Sequence, residues 1–139
     1  MDNLFIDTNV MIDFIAQREP FYDDIAKIIT LVDQQDIKIT ASSLSFVNTF
    51  YVLSKQHPQK TLTVILKKFR VICDVANVDE ISIDKSLVSK FSDFEDAVQY
   101  HSAIHHKCTV FITRNKKDFK YSEIPVMTPT EYLASINRK

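Results

Sequence analysis

No glycine occurs anywhere in this 139-residue chain, although average usage of about 7% would supply roughly ten. Turns must therefore be built by Asn, Asp and Ser and by the four prolines. The dinucleotide fingerprint G-x-G-x-x-G, the Walker phosphate loop and the G-x-S-x-G nucleophile elbow are all excluded. Several large enzyme classes drop out on this feature alone.

The apolar pattern alternates short strand-like runs with helical periods. Asn3 to Asp7 reads as a strand and Val10 to Gln17 as a short helix carrying Val10, Met11, Phe14 and Ile15 inward. Phe21, Ile25, Ile28, Ile29 and Val32 recur at helical spacing, predicting a helix through about Gln35. Ile37 to Thr40 reads as a strand. A helix capped by Ser42 or Ser43 carries Leu44, Val47, Phe50, Tyr51 and Leu53, and a basic helix over 58–70 buries Leu62, Ile65, Leu66 and Phe69. Further on come a strand at 71–75, a helix at 85–91 capped by Asp84, and a helix at 93–106. Strands at 109–113 and 125–127 follow, and a last helix opens at Thr128-Pro129 with Glu131 on its first turn. Alternation of this kind predicts an α/β fold, with a central parallel sheet covered by helices on both faces. With no linker, repeat or low-complexity tract, residues 1–139 read as one domain.

Net charge is −1, but its distribution is uneven. Residues 1–36 and 74–96 are acidic; residues 55–70 hold five bases and no acid, and 107–120 hold five bases against Asp118. Basic segments beside acidic ones suit a surface that grips phosphates around a metal-binding centre. No apolar run is long enough for a membrane span, and Asp2 and Asp7 stand where a signal peptide would be basic. Two cysteines are too few for a disulfide framework. A cytoplasmic protein is expected.

Three polar stretches can carry chemistry. Asp7 ends the first strand, placing a carboxylate at the carboxyl edge of a parallel sheet, where open α/β folds bind ligands; alternatively Asp7 or Asn9 caps the following helix. In Ser92-Asp93-Phe94-Glu95-Asp96, Ser92 and Glu95 form an S-x-x-E capping box, while Asp93 and Asp96 share a helix face. Carboxylates so placed repel unless solvated, protonated or bridged by a cation, and Mg²⁺ and Mn²⁺ accept such oxygen donors. The third stretch, Thr113-Arg114-Asn115-Lys116-Lys117-Asp118-Phe119, follows the strongest buried strand.

These stretches resemble the PIN-domain ribonucleases, most closely the branch related to VapC-type toxins. The resemblance rests on F-I-D-T-N-V-M-I-D at 5–13, S-S-L-S-F-V-N-T-F-Y-V-L at 42–53, D-F-E-D-A-V-Q-Y at 93–100, T-R-N-K-K-D-F at 113–119 and I-P-V-M-T-P at 124–129. It implies a PIN-like three-layer sandwich with a parallel sheet of about four or five strands. It also implies an acidic pocket for Mg²⁺ or Mn²⁺ and hydrolysis of RNA phosphodiester bonds. On this resemblance Asp7 and Asp96 are metal ligands with Asp93 as accessory acid, and either Asn115 or Asp118 fills the last acidic position. Asp7, Asp93, Asp96 and Asp118 then form the catalytic set, supported by Asn9 and Thr113 through hydrogen bonds. Arg114, Lys116 and Lys117 would hold RNA phosphates. Asn48 occupies a place where many members carry glutamate. An antitoxin protein partner and a homodimer are implied as well.

Other readings compete. A PIN-like module that has lost catalysis through Asn48 would bind RNA or a partner without cleaving. A haloacid-dehalogenase-like phosphatase wants a second acid where Asn9 stands. His101 and His105 lie at zinc-ligand spacing, but the rest of the zincin motif is missing. Tyr100 suits either base stacking or packing, and Cys73 and Cys108 suit burial better than nucleophilic catalysis.

Overall fold

The computed structural model describes residues 1–34 and 36–137. Its five strands are β1 (Asn3–Ile6), β2 (Lys38–Ser42), β3 (Cys73–Ala76), β4 (Val110–Ile112) and β5 (Val126–Met127). They form one sheet in the order β3-β2-β1-β4-β5 with every pair parallel. Its helices are α1 (Thr8–Ile15), α2 (Tyr22–Asp33), α3 (Ser43–Leu53), α4 (Gln59–Ile72), α5 (Glu80–Leu87), α6 (Phe94–His105) and α7 (Pro129–Ile136). A 3-10 turn spans Lys116–Phe119. The expected end of the second helix at Gln35 lies outside the described residues.

Side chains of β1 alternate between two cores, as the pleat requires. Leu4 and Ile6 join Val10, Met11, Ile25, Ile28 and Phe69 on one side, where α1, α2, α4 and α7 pack. Phe5 joins Tyr100, Ala103, Phe111 and Phe119 on the other, beneath α6. Phe5 and Phe111 stack across neighbouring strands with ring centroids 5.0 Å apart. The result is the expected three-layer arrangement. Its strand order reverses between β1 and β4, which opens a crevice at their carboxyl ends.

Where glycine would end a helix, other residues adopt the left-handed conformation. Gln17 after α1 has φ 52° and Lys107 after α6 has φ 62°, each at a cost of about 1–2 kcal/mol.

Four expectations need correction. The helix placed at 85–91 is α5, which begins at Glu80 and is capped by Asp79, whose carboxylate accepts from the Ser82 amide at 3.0 Å. Small polar Ser82 and Ser86 form its buried side, whereas Ile81, Leu87 and Val88 are exposed, so apolar periodicity pointed to the wrong register. The strand expected from Val71 starts at Cys73, because α4 continues through Ile72. On α3, Val47 and Tyr51 face outward, each 66% exposed, while Ser45, Thr49 and Leu53 are buried. The capping box assigned to Ser92 and Glu95 does not form: Asp93 is the N-cap of α6 and accepts from the Asp96 amide at 2.9 Å.

Candidate functional site

Asp7 sits at the switch point, 7% exposed, with its backbone amide bonded to Ile112 O at 3.0 Å. Its two oxygens are used separately. One oxygen, Oδ1, accepts from the Thr8 amide at 2.8 Å as the N-cap of α1. The other, Oδ2, accepts from the Thr113 hydroxyl at 3.0 Å across the β1–β4 junction. Thr113 is itself fixed, since its hydroxyl oxygen accepts from the Asn115 amide at 3.1 Å. Burial raises the Asp7 pKa, opposed by these hydrogen bonds and more weakly by the Arg114 charge.

Asp96, one turn into α6, brings the second acidic stretch to the same place. Its pKa is pushed up to about 7, first by burial and then by the charges of Asp93, Asp7, Asp118 and Glu95. Four carboxylates from β1, the start of α6 and the 113–119 segment thus act on a fifth. Asp93 has one oxygen engaged in capping. Asp118 lies in the 3-10 turn within electrostatic reach of Asp96. Asn115 instead lines a cavity between α1, α2 and the start of α7. Asn48, on α3, donates from Nδ2 to Glu95 Oε1 at 3.2 Å. Glu95, released from the capping box assigned to it, therefore stands at the rim of the acidic crevice.

Hard oxygen donors with raised pKa values fit a divalent cation, whose charge relieves their repulsion. Among the described residues, no three Asp, Glu, His or Cys side chains are close enough to enclose an ion by themselves.

Residues that sequence reasoning missed form the floor. Gln99, fully buried on α6, donates to Ser45 Oγ at 2.7 Å and Thr8 Oγ1 at 2.9 Å, while the Ser42 hydroxyl donates to its carbonyl. This network ties α6, α1 and α3 together directly under the acids. Its position three residues beyond Asp96, on the same side of the helix, was the available signal. Asn9, expected to support the pocket, is exposed, and Thr8 makes those hydrogen bonds instead.

The three expected phosphate contacts differ. Arg114 Nε lies 2.8 Å from Asp13 Oδ2, too oblique for a hydrogen bond, and Nη2 donates to Oδ1 at 3.4 Å. Its guanidinium covers the Phe21 ring at 4.0 Å. Lys116 pairs with Glu131 at 2.9 Å. Lys117 is exposed, with no ion pair among the described residues. Tyr100 is packed, and its hydroxyl accepts from the Glu123 amide at 2.9 Å. Burial pushes the Cys73 thiol up to about 12 and the Cys108 thiol up to about 11, which leaves both inert.

A family model described as PIN domain matches residues 3–117. Ribonuclease VapC1 of Aquifex aeolicus (strain VF5) is 26% identical over 136 residues, covering 94% of this chain and 93% of that protein. Two solved structures share the fold. DNA-bound VapBC from Salmonella typhimurium has a TM-score of 0.70 at 17% identity, covering 93% of this chain and 99% of the other. A toxin–antitoxin complex from Klebsiella pneumoniae has a TM-score of 0.66 at 22% identity, covering 91% and 97%. With the matched segment running from β1 to the start of the 3-10 turn, and so covering every acid of the crevice except Asp118, the chain belongs to the PIN domain family.

Proposed function

We propose that this protein is a divalent-metal-dependent endoribonuclease, the toxin of a toxin–antitoxin pair. The carrying observation is the gathering of Asp7, Asp93, Glu95, Asp96 and Asp118 at the switch-point crevice, with Asp96 raised to about 7. Family membership and the likeness to a VapC ribonuclease support the same reading.

Asp7 and Asp96 would hold Mg²⁺ or Mn²⁺. Once bound, such an ion polarises the scissile phosphate and lowers the pKa of a coordinated water. The chain's own groups do the rest. Thr113 and the Thr8 amide fix Asp7 so that no rotamer search is needed when substrate arrives. Asp93, bonded to the Asp96 amide, sets the first turn of α6. Asp118 would accept a hydrogen bond from the attacking water and orient it. Lys117, with the bases of α4 further off, attracts the RNA backbone in a salt-dependent way.

An antitoxin is the partner this reading carries, since the solved neighbours are described as toxin–antitoxin and VapBC complexes. Exposed Val47 and Tyr51 on α3, beside Lys55, offer such a partner an apolar surface with a charged edge. The phosphatase alternative loses its footing with the family match and with Asn9 standing exposed where a second acid was wanted. Incubation of purified protein with end-labelled RNA tests the proposal. Internal cleavage is expected with Mg²⁺ or Mn²⁺, none with chelator, and none from a folded Asp7→Asn variant. Cleavage by that variant at the wild-type rate would refute it.

A further inference from the structure

The cavity beside the acidic crevice has a volume of about 320 Å³, at the lower end of the range for small-ligand pockets. It opens at the same carboxyl edge of the sheet, because its walls are the start of α1, the approach to α2, the residues just after β4 and those just after β5. Arg114 and Asn115 on its wall directly follow Thr113, whose hydroxyl holds Asp7. A group seated here would lie beside whatever occupies the crevice.

The lining has the chemistry of a flat heterocycle's surroundings. Arg114 is pinned edge-on by Asp13 and lies over Phe21, giving a rigid planar surface that is still partly exposed. Guanidinium and phenyl planes of this kind stack unpaired bases. Pro20, Val10 and Pro129 supply apolar walls. Polar edges come from Asn115 and from Asp24, whose Oδ2 accepts the Thr130 hydroxyl. That bond fixes the carboxylate and leaves Oδ1 and the second lone pair of Oδ2 available as a pair of acceptors. An ionised carboxylate only accepts, so it selects a base edge carrying donors, and guanine presents two adjacent ones at N1 and N2.

We infer that this cavity is a nucleobase subsite that takes an unpaired guanine of the RNA, with Asp24 reading its Watson–Crick edge and the Phe21–Arg114 stack supporting its face. The inference rests on the ribonuclease reading and names the nucleotide preference of that same site.

Calorimetric titration of the full chain with the four nucleoside 5′-monophosphates, in buffer free of divalent cations, tests it without any cleavage. The shared phosphate cancels, so differences report the base. GMP is expected to bind about tenfold tighter than AMP, CMP or UMP, the discrimination one good bidentate contact supplies. Asp24→Asn should erase that preference; the amide keeps an oxygen for the Thr130 hydroxyl, so the fold is retained. Asp23→Asn, on the neighbouring exposed acid, should leave it intact. Phe21→Leu should weaken all four alike. Equal binding of the four nucleotides, or a preference that survives Asp24→Asn, would overturn the inference even if the protein cleaves RNA. Guanine-selective binding lost in Asp24→Asn, with no RNA cleavage under any metal condition, would support the subsite and overturn the ribonuclease reading alone.

Discussion

Replacing Asp96 by Asn should stabilise the metal-free protein while removing its activity. The Asp96 pKa rises from 3.8 to about 7 through burial and the charges of Asp93, Asp7, Asp118 and Glu95. At about 1.4 kcal/mol per pH unit this is about 4.5 kcal/mol undamped, but the group is half-exposed and solvent screening leaves about 1–2 kcal/mol. The sign follows from linkage. A carboxyl whose folded pKa lies above its unfolded value costs nothing below about pH 4, and the penalty grows until pH passes 7. Asparagine never ionises, and the described hydrogen bonds include none to the Asp96 carboxylate that its loss would break. For a chain of this length the gain corresponds to a melting temperature higher by about 3–7 °C. Scanning calorimetry in chelator should show that increase at pH 8 and little at pH 4.5. Added Mn²⁺ should then raise the wild-type melting temperature more than that of Asp96→Asn. Equal or lower stability of Asp96→Asn at pH 8 without metal would refute the picture of mutually repelling acids.

Two other perturbations probe the supports of the site. Arg114→Ala leaves the buried Asp13 carboxylate unpaired and should lower urea-denaturation stability by about 3 kcal/mol; a loss below about 0.5 kcal/mol would return Arg114 to the role of a surface phosphate contact. Gln99→Leu removes the amide partner of the Ser42, Ser45 and Thr8 hydroxyls, leaving them only their bonds to one another and to the Ser45 amide, and should cost about 2 kcal/mol in the same assay; unchanged stability would show that water replaces the amide at no penalty.

Much of this architecture was legible because it is written locally. The apolar run that stops at Asp7, the buried strand before Thr113 and the Thr128-Pro129 start of α7 each declare themselves within a few residues, and together they imply the parallel sheet. What escaped depends on distant partners. Arg114 reads as a phosphate-binding base until Asp13, 101 residues earlier, meets it. Glu95 reads as half of a capping box until Asn48, 47 residues earlier, bonds to it. Gln99 gains meaning only once α1 and α3 close over it. The register of α5 escaped for a different reason, since its packed side is serine and its apolar residues are exposed.

Helix starts tie these features together. While α2 and α4 open without a side-chain cap, α1, α3, α5, α6 and α7 begin on Asp7, Ser42, Asp79, Asp93 and Thr128, each accepting from a first-turn amide. Because the sheet is parallel, helices that follow a strand start at its carboxyl edge, where the ligand crevice also opens. Capping and the proposed chemistry therefore draw on the same residues. A carboxylate has two oxygens, and Asp7 divides them: one fixes α1, the other meets Thr113 in the crevice. The same division holds for Asp93, which caps α6 and adds its charge to Asp96. Under the proposed mechanism one side chain at such a position would serve as helix cap and catalytic acid together, and variants there must be read for stability and activity in the same experiment.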